Sequence, residues 1–144
     1  MNIRDIEKQD LPELARLYAA VFNASPWCEP WTEAAALKRL AHFYESKGFI
    51  GLLAEENKLI KAMLMGTLEP YITNNLFYLR EICVAVNEQN QGIGKSLLSA
   101  LNTKLSAHGV IGQYVATDKN LPAASFYASN GYVSNNEMVF MSRK

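Results

Sequence analysis

The stretch Gln89-x-x-Gly92-x-Gly94 follows a long apolar segment, Leu76 to Val86 (LFYLREICVAV), and precedes an amphipathic one with Leu97, Leu98, Leu101 and Leu105 on one side. Glycines at such a junction let the chain turn sharply and let a ligand approach the backbone closely. The first N–H groups of a following helix have no intrahelical partners, and the positive end of the helix dipole adds to them. Such a turn can therefore hold an anion such as a pyrophosphate. The same letters also fit an ordinary strand-to-helix turn in which glycine only relieves strain. Two other phosphate motifs do not fit. Gly94-Lys95-Ser96 imitates the end of G-x-x-x-x-G-K-S/T, but position 89 holds Gln89 where that motif needs glycine. The pattern G-x-G-x-x-G would need glycine where Leu97 stands.

The elements that must position this turn follow from periodicity. Ile3 to Ile6 alternates as a short strand. Asp10 is placed to cap a helix that has Pro12 in its first turn and Leu11, Leu14, Leu17, Tyr18, Val21 and Phe22 along one face. The loop Ser25-Pro26-Trp27-Cys28-Glu29-Pro30-Trp31 breaks it. Thr32-Glu33 opens a second helix, with Ala36, Leu37, Leu40, Phe43 and Tyr44 as its apolar stripe and Gly48 at its end. Phe49–Glu55 and Leu59–Leu68 form a hairpin around Glu56-Asn57-Lys58, and Tyr71–Asn75 is a loop. After the glycine turn and its helix, which His108-Gly109 closes, come a strand over Val110–Thr117 and a helix over Pro122–Ser129 with Gly131 just past its end. Two further strands follow, Tyr132-Val133 and Met138–Met141. The order β-α-α-β-β-β-α-β-α-β-β is mixed α/β, with the glycine turn after the middle strand.

Composition narrows the possibilities. A chain of 144 residues with 49% apolar content fits one domain with a continuous core, spanning residues 1–144. Fourteen basic residues balance fourteen acidic ones, which argues against nucleic acid or an acidic membrane as partner. Charged residues reach only 19%, and a neutral, lightly charged surface favours association, so a homodimer is expected. No apolar run approaches the roughly 18 residues needed to span a bilayer. The first residues show no signal-peptide pattern. Cys28 and Cys83 form no CxxC pair, so neither a metal site nor a disulfide framework is expected, and the chain reads as cytoplasmic.

Val84-x-Val86-x-x-Gln89-x-x-Gly92-x-Gly94 resembles motif A of the GNAT acetyltransferase superfamily, V-x-P-x-x-R/Q-x-x-G-x-G/A, with Val86 where proline is common. Asn120-x-x-Ala123-x-x-Phe126-Tyr127-x-x-x-Gly131-Tyr132 resembles its motif B. The resemblance implies a central, twisted, mostly antiparallel sheet of about six to seven strands flanked by about four helices. It also implies an N-acetyltransferase that moves the acetyl group of acetyl-CoA to a primary amine by direct attack in a ternary complex. The alternative is a CoA-binding sensor domain without turnover. The acceptor, a small molecule or peptide amine, has no motif in the N-terminal third.

Carried over residue by residue, the resemblance puts the diphosphate on the backbone of Gln89, Asn90, Gln91, Gly92, Ile93 and Gly94, with Lys95 and Ser96 beside it. The strand segment Ile82, Cys83, Val84, Ala85 and Val86 splays from its neighbour and offers backbone groups to the pantetheine. An N–H near Val84 polarises the thioester carbonyl. Asn120, Ala123 and Phe126 belong to the cofactor side; Asn120 also suits a helix cap, and Phe126 and Tyr132 suit the core. Tyr127 matches the tyrosine that protonates the departing thiolate, or else simply packs on the sheet. Glu81 is the candidate base, because a carboxylate inside an apolar run is partly desolvated and its pKa rises. The alternative for Glu81 is an ion pair with Arg80 or Lys61. Trp27, Glu29 and Trp31 are candidates for the acceptor pocket, or the tryptophans plug the helix junction. Tyr71 and Glu69 are further acceptor-side candidates. Cys83 reads as a buried apolar residue rather than as a nucleophile.

Overall fold

A computed structural model describes residues 1–144. Its five strands form one sheet in the order β1 (Asn2–Asp5), β2 (Phe49–Glu56), β3 (Leu59–Pro70), β4 (Asn75–Val84) and β5 (Val110–Tyr114). The first three pairings are antiparallel and β4–β5 is parallel. Four helices, α1 (Leu11–Asn23), α2 (Glu33–Tyr44), α3 (Ile93–Ser106) and α4 (Pro122–Ser129), complete the mixed α/β architecture.

The elements arise largely where periodicity puts them. Thr32 starts α2 by accepting the N–H of Ala35 on its hydroxyl at 3.0 Å, as an N-cap does. The β2–β3 hairpin turns through Asn57 and Lys58, with φ of 52° and 63°, the pair of positive values that suits the twist of two adjoining strands. Because both sheet faces are covered, the core is double. α1 and α2 cover Leu53, Met63, Met65 and Cys83 on one face. α3 and α4 cover Leu52, Leu64, Phe77 and Leu79 on the other.

Strand β4 changes face partway along. Leu79 lies opposite Gly66 and Glu81 opposite Met65, so Arg80 is an extra residue, a β-bulge. Before it, the odd-numbered Phe77 and Leu79 face α3; after it, Glu81 and Cys83 face α1 and α2. Ile82 and Val84 then take over the α3 face.

Three expectations need correction. The sheet has five strands instead of six or seven. Residues 132–133 and 138–141 form no strand, because the chain after α4 stands off β5 across a groove of about 800 Å³ and cannot form a ladder with it. Val133, Met138, Val139, Phe140 and Met141 are consequently exposed. The strands also end early: β4 stops at Val84, Val86 enters a 3-10 turn, and β5 stops at Tyr114. Finally, Asp10 does not cap α1 with its side chain. Its backbone is already helical, and its carboxylate accepts the N–H of Glu7 at 2.7 Å and both terminal nitrogens of Arg4, at 2.8 and 2.9 Å. Arg4 also reaches Glu55 of β2, at 3.0 Å, so the cluster ties β1, β2 and the start of α1 together.

The bonds from Arg4 hold the Asp10 carboxyl below the usual carboxylate range. A depressed folded pKa contributes stability that is present above the unfolded value, about 3.9, and is lost as pH falls through the folded one. Asp10→Asn should therefore lower the unfolding free energy by about 1.5–3 kcal/mol at neutral pH. In urea titrations the gap from the parent should narrow steadily below about pH 4; a gap that is constant with pH would contradict this role.

Candidate functional site

The parallel pairing of β4 with β5 runs from Asn75/Val110 to Tyr78/Tyr114 and ends there. Beyond that point β4 stays bonded to β3 as far as Val84/Ala62, while residues 115–117 leave the sheet. A cavity of about 620 Å³ occupies the resulting gap. Ile82 and Val84 form one wall, and Val115 to Thr117 with Ala123, Phe126 and Tyr127 of α4 form the other. One end is the glycine turn and the other is lined by Phe22, Trp27, Arg80 and Glu81. The wider groove outside β5 is lined by no carboxylate, cation, imidazole or thiol, so the gap is the candidate site.

Backbone direction along β4 follows from the ladder. Ala85 donates its N–H to Lys61 O at 2.8 Å. In an antiparallel pair alternate residues bond to the same neighbour, so Val84 and Ile82 turn their N–H and C=O groups the other way, into the gap. The carbonyl of Val84 accepts the side-chain amide of Gln89 at 3.0 Å, which braces the turn against the strand.

At the turn, Gly92 has φ of +82° and stands as the N-cap of α3. A Cβ there would meet nothing within 4 Å, so glycine is required by the left-handed backbone and the space beside it is open. Gly94 serves a different need: a Cβ would lie 3.0 Å from the Phe126 ring, so its absence lets α4 close over α3. The first turn of α3 carries no acidic residue, and Lys95 lines the cavity, so amides, dipole and a cation converge on one place. This arrangement fits a diphosphate.

Gln89, Asn90, Gly92, Ile93, Gly94 and Lys95 line the gap, as do Ile82, Cys83, Val84, Ala123, Phe126, Tyr127 and Trp27. Ala85, Val86, Gln91, Ser96, Asn120, Glu29, Trp31 and Tyr71 do not. Ser96 turns its hydroxyl back to Gly92 O at 3.0 Å. Asn120 is exposed in a turn held by Asp118 and does not cap α4, whose N-cap is Leu121. Trp31 clamps the loop to α1: its N–H donates to the Asn23 side chain at 2.7 Å, its carbonyl accepts from that side chain at 2.8 Å, and its indole N–H donates to Glu29 at 3.1 Å. Tyr71 is exposed in the β3–β4 loop.

Glu81 is only 8% exposed. It accepts from Arg39 Nε at 2.7 Å and from the Tyr18 hydroxyl at 3.2 Å. Neither Arg80 nor Lys61 is its partner; Lys61 pairs with Glu88 at 2.9 Å. Burial raises the Glu81 pKa above the ordinary carboxylate value, against the opposing pull of Arg39 and Tyr18. Tyr127 is buried to the same degree and its hydroxyl makes no hydrogen bond within the chain; burial, with Tyr132 and Glu81 nearby, pushes its phenol well above its usual range. Arg39 and Tyr18 escaped sequence reasoning. A buried carboxylate demands a partner, but spacing along the chain does not say which helix supplies it.

The family model for the acetyltransferase (GNAT) domain matches residues 50–134, from β2 to beyond α4. The chain belongs to the GNAT acetyltransferase family. A search of curated protein sequences finds no significant match. Among solved structures, the aminoglycoside acetyltransferase meta-AAC0020 from an uncultured soil metagenomic sample, in complex with sisomicin, is 26% identical with a TM-score of 0.77, covering 99% of this chain and 95% of that one. A transcriptional regulator from Bacillus halodurans C-125 aligns at TM-score 0.78 and 20% identity over 99% of both chains. The aminoglycoside N-acetyltransferase AAC(6')-Iy in complex with CoA aligns at 0.77 and 15% identity over 99% of this chain and 94% of that one. No helix is long and apolar enough to cross a membrane.

The two thiols make a clear contrast. Cys28 is exposed, whereas Cys83 is buried, and burial raises its pKa far above that of a free thiol. Titration of the native protein with a thiol reagent should give one fast-reacting group. A second should appear only on unfolding, and Cys28→Ser should abolish the fast phase.

Proposed function

We propose that residues 1–144 act as one domain that transfers the acetyl group of acetyl-CoA to a primary amine by direct attack in a ternary complex. The observation that carries this reading is the gap between β4 and β5, which joins an anion-binding turn at one end to a buried carboxylate at the other. The diphosphate rests on the amides of Gly92 to Lys95, and the pantetheine arm runs along β4, where Ile82 and Val84 present backbone groups. The amide of Val84 donates to the thioester carbonyl and stabilises the negative charge that develops on its oxygen.

The amine enters from the end lined by Phe22, Trp27 and Glu81. Glu81 takes a proton from the ammonium form, freeing the lone pair, and the nitrogen attacks the carbonyl carbon. As the C–S bond breaks, the phenol of Tyr127 gives its proton to the departing thiolate. The second proton that the attacking nitrogen sheds restores the phenol. An ammonium ion and a thioester enter; an amide, a thiol and one proton, released to solvent, leave. Cys83 has no part in this, since a thiol held protonated by burial is a poor nucleophile.

Calorimetry should detect CoA and acetyl-CoA binding, and thiol release should depend on added amine; no heat with either coenzyme would end the proposal. Glu81→Gln should lower kcat by about 10²–10⁴ and Tyr127→Phe by a smaller factor, with coenzyme binding retained. The base must be ionised, so activity rises with pH through its raised pKa. Arg39→Met removes the cation that favours the ionised form, so the acid limb of the pH–rate profile should move to higher pH. A limb that stays in place in Arg39→Met and in Glu81→Gln would remove Glu81 as the base.

A further inference from the structure

Four charged residues line the gap: Arg80, Glu81, Glu88 and Lys95. Both carboxylates are neutralised by cations that stand outside the lining, Glu81 by Arg39 and Glu88 by Lys61. What remains are two cations without a carboxylate within 4.0 Å. Lys95 belongs to the anion-binding turn. Arg80 lies on β4 four residues before Val84, roughly 13 Å away by strand rise, which puts it at the opposite end of the gap.

Arg80 is there because of the bulge. As the extra residue of β4, it shares the α1/α2 face with its neighbour Glu81, where strict alternation would have sent the two to opposite faces. Its guanidinium lies 4.3 Å from the Tyr78 ring centroid and 5.5 Å from that of Phe43, so two aromatic faces hold it in position. Stacking of this kind leaves the edge nitrogens of a guanidinium free to donate. None of them donates to another residue of the chain. An acidic group capable of taking a proton and a fixed, unpaired cation thus stand side by side at the mouth of the gap.

We propose that the acceptor is an amine bearing a carboxylate within a few bonds of its nitrogen, as in an α-amino acid, and that Arg80 holds that carboxylate while Glu81 faces the nitrogen. The proposal rests on the acetyl-transfer reading and names its acceptor class. A polycationic aminosugar would be repelled by Arg80, and both carboxylates of the lining are already paired; Glu29, which has no cation partner and lies near enough to act on Glu81, stands outside the lining. Phe22 and Trp27, which line the same gap, supply an apolar surface for the remainder of an amino acid side chain.

The test compares each acid with its decarboxylated counterpart: L-phenylalanine with 2-phenylethylamine, and L-lysine with 1,5-diaminopentane. Binding to the CoA-saturated protein is read by calorimetry and turnover by thiol release. The parent protein should prefer the acids. Arg80→Gln should reduce the acid-to-amine ratio in both readouts by about 10- to 100-fold, the range for loss of charge-assisted hydrogen bonds, and Arg80→Lys should restore part of it. A ratio cancels any general loss of folded protein. Lack of preference in the parent, including failure to bind either acid, overturns the proposal, as does a ratio unchanged in Arg80→Gln. Selective acid binding without thiol release would leave the carboxylate site standing and remove the transferase reading; amine turnover without acid preference would do the reverse.

Discussion

Beyond Tyr78 the fourth strand keeps its bonds to β3 and gives up those to β5, and this parting of two parallel neighbours is the constraint from which the candidate site follows. A sheet that stayed closed would leave no gap, and the amides of Ile82 and Val84 would be used in a ladder. Opening it exposes backbone groups that must find other partners, since unpaired groups shut away from water are costly. The Gln89 side chain meets one of them at Val84 O. The remainder face a space that a polar, elongated molecule could fill. The turn at Gly92 stands where that space ends, so strand, gap and helix N-terminus lie in one line.

The bulge at Arg80 adds a second asymmetry at nearly the same place. Pairing with β5 ends at Tyr78, and the strand changes face two residues later. The first half of β4 therefore belongs to the α3 core on its odd positions, and the second half to the α1/α2 core. Glu81 is carried into a region lined by Tyr18, Arg39 and Phe43, where burial raises its pKa while a guanidinium limits the rise. An ion pair with a buried carboxylate and an exposed guanidinium adds little net stability, because desolvation of the one and solvent screening of the other offset the attraction. Its value here is positional: Arg39 fixes the carboxylate between α2 and the strand.

Much of this was legible in the chain. Elements set by local rules appear where expected: the helix start at Thr32-Glu33, the hairpin between β2 and β3, whose turn proves one residue shorter than the expected Glu56-Asn57-Lys58, the stripe of α3, and the helix over Pro122–Ser129. The glycine turn was legible because a left-handed residue before a helix restricts the choice of side chain. Features set by distant pairing were not. Arg39 lies 42 residues from Glu81, and no periodicity links them. The bulge is a matter of register between β3 and β4, which alternation alone cannot reveal. Asp10 has the right residue type for a cap, yet Arg4 from the neighbouring strand claims its carboxylate. The expected strands after Tyr132 rest on apolar residues that the structure leaves in water, away from β5.

That last arrangement leaves the β5 border of the sheet open, as β1 is at the other border. The outer side of β5 offers its backbone groups over only five residues, and it ends where the chain turns away toward α4. Brevity of this kind limits what an edge can recruit. An added strand would gain only a few bonds before running past the border, so growth of sheet upon sheet is curtailed even though apolar side chains such as Ile111 and Phe140 stand close by in sequence to that rim and its trailing segment.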